Sequence, residues 1–450
     1  MRSRGLLLGH FLLLYRIQRW GRLRLTRAGL LFLAGLVLAG VFGMNTNRTL
    51  AYQTFAFLAS LLVIALVSGL FFRTRFSIVR VLPRYGTAGH PLTYRLRITN
   101  HSDHFQQGLS AVEDLAPAPP TPSEFDATRE PNEARRNRFD RIVGYHRWAW
   151  IMERRRLVRS GESPLPPLPP RVATEVELEV LPLKRGILEL DRLVVSRPDP
   201  FGLFKSLAPV SRPQSLTILP KRYPLRPLDL PGLRRHQPGG VTLSSSVGES
   251  EEFVSVRDYR PGDPLRRIHW KSWAKAGRPI VKEYQDEFFV RQALVLDTFT
   301  QDPADEAFEE AVSVAASFAS AVQSQDALLD LMFVGAEAFC FTCGRGLAHM
   351  DRMLEILAAV RPCRDKPFEA LTPVIMERSD LLSACVLVLL AWDDPRRELV
   401  RGLRGLGLPL KVLRVARPDT EAETLGPMAD RPSDFHRLET GRIEEGLSEL

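Results

Sequence analysis

Two uncharged apolar runs dominate the hydrophobic pattern of the chain, residues 28–44 (AGLLFLAGLVLAGVFGM) and 50–72 (LAYQTFAFLASLLVIALVSGLFF). At about 1.5 Å of rise per residue, helices of this length cover most or all of a bilayer core about 30 Å thick. Backbone polar groups in lipid must be satisfied internally, so both runs predict membrane-spanning helices. The polar linker 45–49 is short and predicts a hairpin. An earlier apolar stretch, residues 5–15, is too short to span and is expected in the membrane interface or docked on the hairpin. Arginines rather than a small-residue cleavage site follow it, which argues against a cleaved signal peptide.

Beyond the hairpin the period changes to two. Residues 76–82 and 92–99 alternate apolar with polar (LTYRLRIT), separated by a turn at 85–91, and predict an antiparallel pair. The same alternation returns at 172–181, 186–196 and 215–219. Five short strands with turn signals between them predict a small β-sandwich of immunoglobulin-like type. Interrupting them is a segment rich in proline and arginine, 117–170, whose ends (APAPPTP and PLPPLPP) are expected to run extended or as polyproline II. A short helix is expected around 133–150. The segment reads as a surface insertion, or as a docking element for a partner or, through Trp148, Trp150 and nearby arginines, for the anionic membrane face.

From residue 293 onward, strand and helix alternate. Strands are expected at 293–296, 328–334, 338–341, 384–390 and 409–415, with helices at 302–323, 347–360 and 395–406. That order predicts a mostly parallel, doubly wound sheet covered on both faces. The expected divisions are a basic segment 1–27, an anchor 28–72, a β-sandwich 73–220 with insertion 113–170, a charged motif and linker 221–290, an α/β domain 291–416 and a tail 417–450. The fold class is thus an α+β multidomain membrane protein.

Composition agrees with an anchor plus two soluble domains. A chain of 450 residues exceeds what one core usually organises, and 34 Pro with 30 Gly favour β-structure and loops over a helical bundle. The net charge of +9 comes largely from arginines before the first apolar run and between 129 and 159. Membrane topology or a solvated loop accounts for them, so no nucleic-acid partner is expected. Arg16, Arg19, Arg22, Arg24 and Arg27 precede the first span, Arg73, Arg75 and Arg80 follow the second, and the linker holds only Arg48. Both ends are therefore expected on the cytoplasmic side. Four cysteines, Cys340, Cys343, Cys363 and Cys385, have no disulfide-framework spacing and fit a reducing compartment.

Candidate chemistry concentrates in 246–287, SVGESEEFVSVRDYRPGDPLRRIHWKSWAKAGRPIVKEYQDE. Pro261-Gly262-Asp263-Pro264 predicts a turn in which the Asp263 carboxylate caps a following short helix. Arg257, Arg260, Arg266 and Arg267 stand near Glu249, Glu251, Glu252 and Asp258, close enough in sequence for bidentate pairs to brace the loop. Arg257, Tyr259, Pro261, Gly262, Asp263, Arg266, Ile268, His269, Trp270 and Ala274 resemble the hallmark run of the domain of unknown function 58 family. Lys184-Arg185-Gly186, Asp199-Pro200-Phe201-Gly202-Leu203-Phe204 and the two-helix anchor are similar to that family as well. The resemblance implies an inner-membrane protein with a von Willebrand factor A-like domain, paired with a MoxR-type AAA+ ATPase.

In doubly wound folds ligands sit at strand carboxyl ends, which singles out Asp297 and Asp393-Asp394. Von Willebrand A-like domains bind magnesium there through Asp-x-Ser-x-Ser, whereas this chain places Phe299 and Gln301 at the serine positions. Thr298, Thr300, Asp302 or Asp393 would have to supply the lost oxygen ligands. Cys340 and Cys343 have CxxC spacing without a second pair, with only His349 and Cys363 nearby, and read as ordinary residues near a strand end rather than a zinc site. No phosphate-binding Gly-x-x-x-x-Gly-Lys-Ser/Thr occurs, so any ATP hydrolysis belongs to a partner. These readings favour an adaptor that is not an enzyme and has no cofactor. The alternative is a metal-assisted hydrolase using Asp297 and Asp393, or an enzyme using Asp263 and His269.

Overall fold

The structure is a computed structural model that describes residues 2–43, 49–72, 75–131, 133–225, 253–263, 265, 268–284, 290–301, 305–321, 327–343, 347–421 and 423–450. Arg48 and all but the last residue of the linker 45–49, and Arg73, Glu249, Glu251, Glu252, Pro264, Arg266, Arg267 and Asp302, lie outside the described residues. Two compact units divide after Lys221.

The first unit opens with helices α1 (Arg2–Arg24), α2 (Arg27–Gly43) and α3 (Thr49–Leu70). Within α3, Leu50–Leu70 is long and apolar enough to cross a membrane, while α2 is a shorter apolar helix. Leu31, Val37, Val41, Phe57, Ile64 and Leu70 point outward, the reverse of a soluble-core helix. The two lie side by side: a Cβ on Gly40 would stand 3.3 Å from the Phe55 ring, and one on Gly43 would stand 3.5 Å from the Tyr52 backbone.

Strands β1 (Phe76–Val81), β2 (Tyr85–Thr87), β3 (Leu92–Asn100) and β4 (Ser110–Glu113) follow, then helices α4 (Pro122–Ala127), α5 (Arg138–Val143) and α6 (Tyr145–Arg154). Strands β5 (Val158–Ser160), β6 (Ser163–Pro164), β7 (Ala173–Pro182), β8 (Gly186–Pro198) and β9 (Lys205–Leu219) complete the unit. They form two sheets, β1-β3-β7-β5 and β2-β9-β8-β4-β6. Period-two alternation buries Tyr94, Leu96 and Ile98 of one sheet against Leu190, Leu193 and Val195 of the other in one core. The predicted pairing of 76–82 with 92–99 is present, antiparallel, as β1 with β3. The expected turn at 85–91 differs, because Tyr85–Thr87 pairs in parallel with the end of β9.

The proline- and arginine-rich insertion is helical at its centre. Thr121 and Glu124 form a capping box that starts α4. Asn137 caps α5, and Gly144, at φ 74°, ends it and starts α6. The single helix expected around 133–150 is therefore broken at a left-handed glycine. Phe125, Trp148, Ile151 and Met152 pack with Leu8 and Phe11 of α1. The buried Glu133 ties this cluster together by pairing with Arg147 and, at 3.0 Å, with Arg129. Trp148 is thus spent on α1 and is not free to meet a membrane.

One turn joins the β-structure to the apolar helices. Asp199 accepts from the Phe201 N–H at 2.7 Å and from the Phe204 N–H, with Gly202 at φ 68°. The Thr26 hydroxyl donates to the Gly202 carbonyl at 2.6 Å, and the Thr26 N–H donates to the Leu203 carbonyl at 3.2 Å. Gly29 lies so close that an added Cβ would fall 2.1 Å from the Leu203 carbonyl oxygen. At the far end of α3, Ser206 Oγ donates to the Gly69 carbonyl at 3.4 Å. The start of α2 therefore meets this turn, and the end of α3 meets the beginning of β9 directly after it.

The second unit contains β10 (Phe253–Asp258), α7 (Trp270–Ala276), β11 (Ile280–Tyr284), β12 (Val290–Leu296), α8 (Glu306–Ala321), β13 (Ala327–Val334) and β14 (Ala338–Cys343). After them come α9 (Leu347–Ala359), α10 (Thr372–Met376), β15 (Ala384–Leu389), α11 (Asp394–Gly405), β16 (Leu410–Ala416), β17 (Phe435–Glu439) and α12 (Ile443–Ser448). The main sheet has order β14-β13-β12-β15-β16-β17, parallel except for β14. Ala293 and Val295 share a core with Ile375 of α10 and Leu399 and Leu403 of α11. The alternate positions Leu294 and Leu296 are equally buried, and α8 runs along β12, β15 and β16. Residues 417–450 are not a free tail: β17 is the sixth strand, held by burial of Leu438, Ile443 and Leu447.

Candidate functional site

Strand order reverses between β12 and β15, the place where a doubly wound sheet opens a crevice at its strand carboxyl ends. Asp297 ends β12, and Asp393 caps α11 directly after β15, so the fold does bring these two residues to one corner. Between them lies the side chain of Arg396. Its Nε donates to Asp297 Oδ2 at 2.6 Å and its Nη1 to Asp393 Oδ2 at 2.6 Å, while its Cζ stands 4.4 Å from the Phe368 ring centroid. Burial opposes the guanidinium charge, but Asp297 and Asp393 together hold its pKa above the ordinary arginine value.

The Asp297 carboxylate is fully buried, and both its oxygens are used. Oδ1 accepts the Phe299 N–H at 3.0 Å, and Oδ2 accepts the Leu390 N–H at 2.9 Å besides Arg396. Of the substitute ligands named from the sequence, Asp302 lies outside the described residues and Asp393 is held by Arg396, while the Thr298 hydroxyl donates to the Val334 carbonyl and Thr300 donates to Asp305 at 2.9 Å. Asp305 in turn pairs with Arg417 at 3.0 Å. Magnesium needs free oxygen ligands in near-octahedral array, and this corner offers occupied oxygens and a resident cation, so its residues do not fit the ion. Among the described residues no group of three or more His, Cys, Asp or Glu could hold a metal. Sequence reasoning missed Arg396; its signal was an Asp-x-x-Arg pair opening a helix, which places both side chains on one turn.

The charged motif forms a clamped turn on the β10-β11 pair. Arg257 reaches Asp263 through two bonds, 2.7 and 2.9 Å, and the Asp263 carboxylate also accepts the Arg260 N–H at 2.8 Å. Pro261 and Gly262 make the bend, with Gly262 at φ 107°, and the Tyr259 N–H donates to the Pro279 carbonyl at 3.0 Å. A bidentate guanidinium draws the Asp263 carboxylate back toward Arg257 and the Arg260 N–H; the cap expected on a following short helix falls on Pro264, Arg266 and Arg267, outside the described residues. His269 is the residue before α7, its Nδ1 2.6 Å from Ser272 Oγ and its N–H on the Ile280 carbonyl. Trp270 is 64% exposed and stacks on Trp273, centroids 5.2 Å apart. Leu265 and Val256 of the same motif are exposed as well.

The Arg257 guanidinium and the Arg260 N–H hold the Asp263 carboxyl down at about 2. A carboxylate depressed in the fold contributes stability above its unfolded value of about 3.9, and that contribution is lost as pH falls through the folded value. The carboxyl carbon shift of Asp263 is expected to titrate with a midpoint of about 2; a midpoint at the unfolded value would remove the clamp.

Cys340 and Cys343 both lie on β14, and a spacing of three puts their side chains on opposite faces of the sheet. No disulfide joins the four cysteines, and burial pushes the Cys385 thiol up to about 12.

The architecture defines a mixed helix-and-sheet chain of more than one unit with, among the described residues, one helix long and apolar enough to cross a membrane. Residues 255–389, from β10 through β15, match the family model described as protein of unknown function DUF58. A curated relative, "Uncharacterized protein YeaD" of Bacillus subtilis (strain 168), is 36% identical over 126 residues, 28% of this chain and 31% of the relative. The chain therefore spans about a third of the length of the curated relative it matches. Among solved structures, a beta-glucosidase from Listeria innocua aligns over 32% of this chain and 16% of its own, with 12% identity and a TM-score of 0.15. A GH20 exo beta-N-acetylglucosaminidase from Vibrio harveyi aligns over 77% and 57%, with 9% identity and a TM-score of 0.13. Scores of that size carry no argument about fold or chemistry.

Proposed function

We propose that this protein is a membrane-anchored adaptor that presents its second unit, of von Willebrand factor A-like architecture, to a cytoplasmic AAA+ ATPase of MoxR type or to envelope-assembly partners. In this reading α2 and α3 form a transmembrane hairpin in a bacterial inner membrane, the β-structure of the first unit is an immunoglobulin-like sandwich, and the soluble parts are cytoplasmic. The start of α2 meets the Asp199 turn and the end of α3 meets the beginning of β9 just after it, which supports one-sidedness, and the flanking arginines support the cytoplasmic side.

The observation that carries the adaptor reading is exposed Trp270 at the start of α7, in the motif whose turn the Arg257–Asp263 pair clamps. Tryptophan and arginine dominate interface hot spots, and a surface already held in one shape loses little entropy on binding. Arg396, filling the strand-end corner, favours the adaptor over the hydrolase alternative. Affinity capture of the full chain from detergent-solubilised membranes, with and without ATP, is expected to recover an AAA+ ATPase. Truncating a hot spot costs at least about 2 kcal/mol, roughly thirtyfold in affinity, so Trp270→Ala should largely abolish recovery. Capture of no ATPase in either condition would refute the reading.

A further inference from the structure

Helix α1 has two apolar faces, and only one is used inside the fold. Leu8 and Phe11, with half-buried Leu12 and Tyr15, pack on the α4 and α6 cluster, and Arg19 pairs with Asp114. The other side is a stripe at spacings of four and three, Leu13, Ile17 and Trp20, exposed by 55%, 54% and 53%. Arg16 and Arg24 are exposed on the same side, by the 100° turn per residue of a helix, and the Arg24 guanidinium stands 5.9 Å from the Trp20 ring. Charge in this part of the chain has one sign, since no Asp or Glu precedes Asp103.

Position narrows what can cover that stripe. Only Leu25 and Thr26 separate α1 from α2, and Thr26 is bonded to the Gly202-Leu203 backbone, which fixes the junction. Packed on the same cluster through Val143, α5 carries exposed Phe139 and Ile142, each directly after an exposed arginine, Arg138 and Arg141, a second apolar and basic foot. A helix with an apolar stripe, tryptophan and flanking arginines, leading into an apolar helix, has the composition of a segment lying in a bilayer interface.

We propose that the Leu13–Ile17–Trp20 face of α1, flanked by Arg16 and Arg24, is a binding surface for anionic phospholipid headgroups in the leaflet that α2 enters. The proposal rests on the membrane-anchor reading. Its packing on the insertion holds α1 in the membrane plane, so the surface sets the height of the soluble units above the lipid.

The full chain reconstituted in vesicles of phosphatidylcholine, alone or mixed with phosphatidylglycerol, tests this through quenching of tryptophan by lipids brominated near the headgroup. The Trp20 component is the difference between wild type and Trp20→Phe. It is expected to be quenched in the anionic vesicles and to lose at least half its quenching in neutral ones. Arg16→Gln with Arg24→Gln, both on the surface, should remove that lipid preference, and Leu13→Gln with Ile17→Gln should remove the quenching itself. No Trp20 quenching in a chain that resists carbonate extraction overturns the lipid surface and leaves the anchor intact, as does quenching indifferent to lipid charge. Release by carbonate overturns the anchor and this surface with it.

Discussion

Replacing Arg396 with alanine is expected to destabilise the second unit by about 3–5 kcal/mol, the usual cost of breaking a buried ion pair on one side. Asp297 would be left at a fully buried position without its cation, with two backbone donors from Phe299 and Leu390. Thermal unfolding of the full chain, followed through Trp392 in the same corner, reads the loss; Trp392 is buried and donates to the Thr424 carbonyl at 2.8 Å. Replacing both partners, Asp297→Leu with Arg396→Leu, should recover most of it, because the cost comes from the orphaned charge and not from the lost pair. Magnesium should leave the wild-type transition where it is and raise that of Arg396→Ala, whose two carboxylates would then be open to a cation. A cost below about 1 kcal/mol for Arg396→Ala, as at an exposed pair, or a magnesium shift in the wild type, would refute the resident-cation account.

A loss of the same order, about 3–5 kcal/mol, is expected in the first unit from Glu113→Ala. Arg80 and Glu113 have side chains 0% and 1% exposed and meet through two bonds, 2.7 and 2.9 Å. Arg80 also donates to the Arg212 carbonyl at 2.6 Å, and the Tyr94 hydroxyl donates to Glu113 at 2.6 Å. Burial first, and then the adjacent Glu113 carboxylate, pushes the Tyr94 phenol above its usual range, so it stays a donor. Removing Glu113 strands a guanidinium and a hydroxyl together between the sheets. Tyr94→Phe removes one bond to a charged group and should cost less, about 1.5–3 kcal/mol. Amide exchange along β1, β3 and β4 distinguishes the two; equal protection in Glu113→Ala and wild type would show that the pair does not hold the sheets.

Much of this was legible along the chain because local pattern reports local structure. Alternation at 92–99 located β3, a helix expected at 302–323 contains α8, and the strand-helix order placed Asp297 and Asp393 at strand ends. The partners of those residues were not legible. Arg396 is 99 residues from Asp297 and reads as one more charge on a polar helix until β12 and β15 become neighbours. Trp148 reads as a candidate membrane contact until α1 covers it. The terminal 34 residues read as a tail because β17 is short and its place beside β16 depends on a register no local window contains.

The sequence by itself determined the uncharged spans, the one-signed charge that precedes Asp103, the periods of strands and helices, and the glycine-proline bend at 261–262. Each of these depends on neighbours within a turn or two, where steric and hydrophobic period act directly. Tertiary structure alone decided which carboxylates are free and which are neutralised, which face of α1 is left uncovered, and which turn grips the apolar helices. Those outcomes hang on side chains a hundred or more residues apart arriving within 3 Å of each other, as Thr26 does with Gly202, and hydrogen bonds and ion pairs depend so steeply on distance that only the folded arrangement sets them.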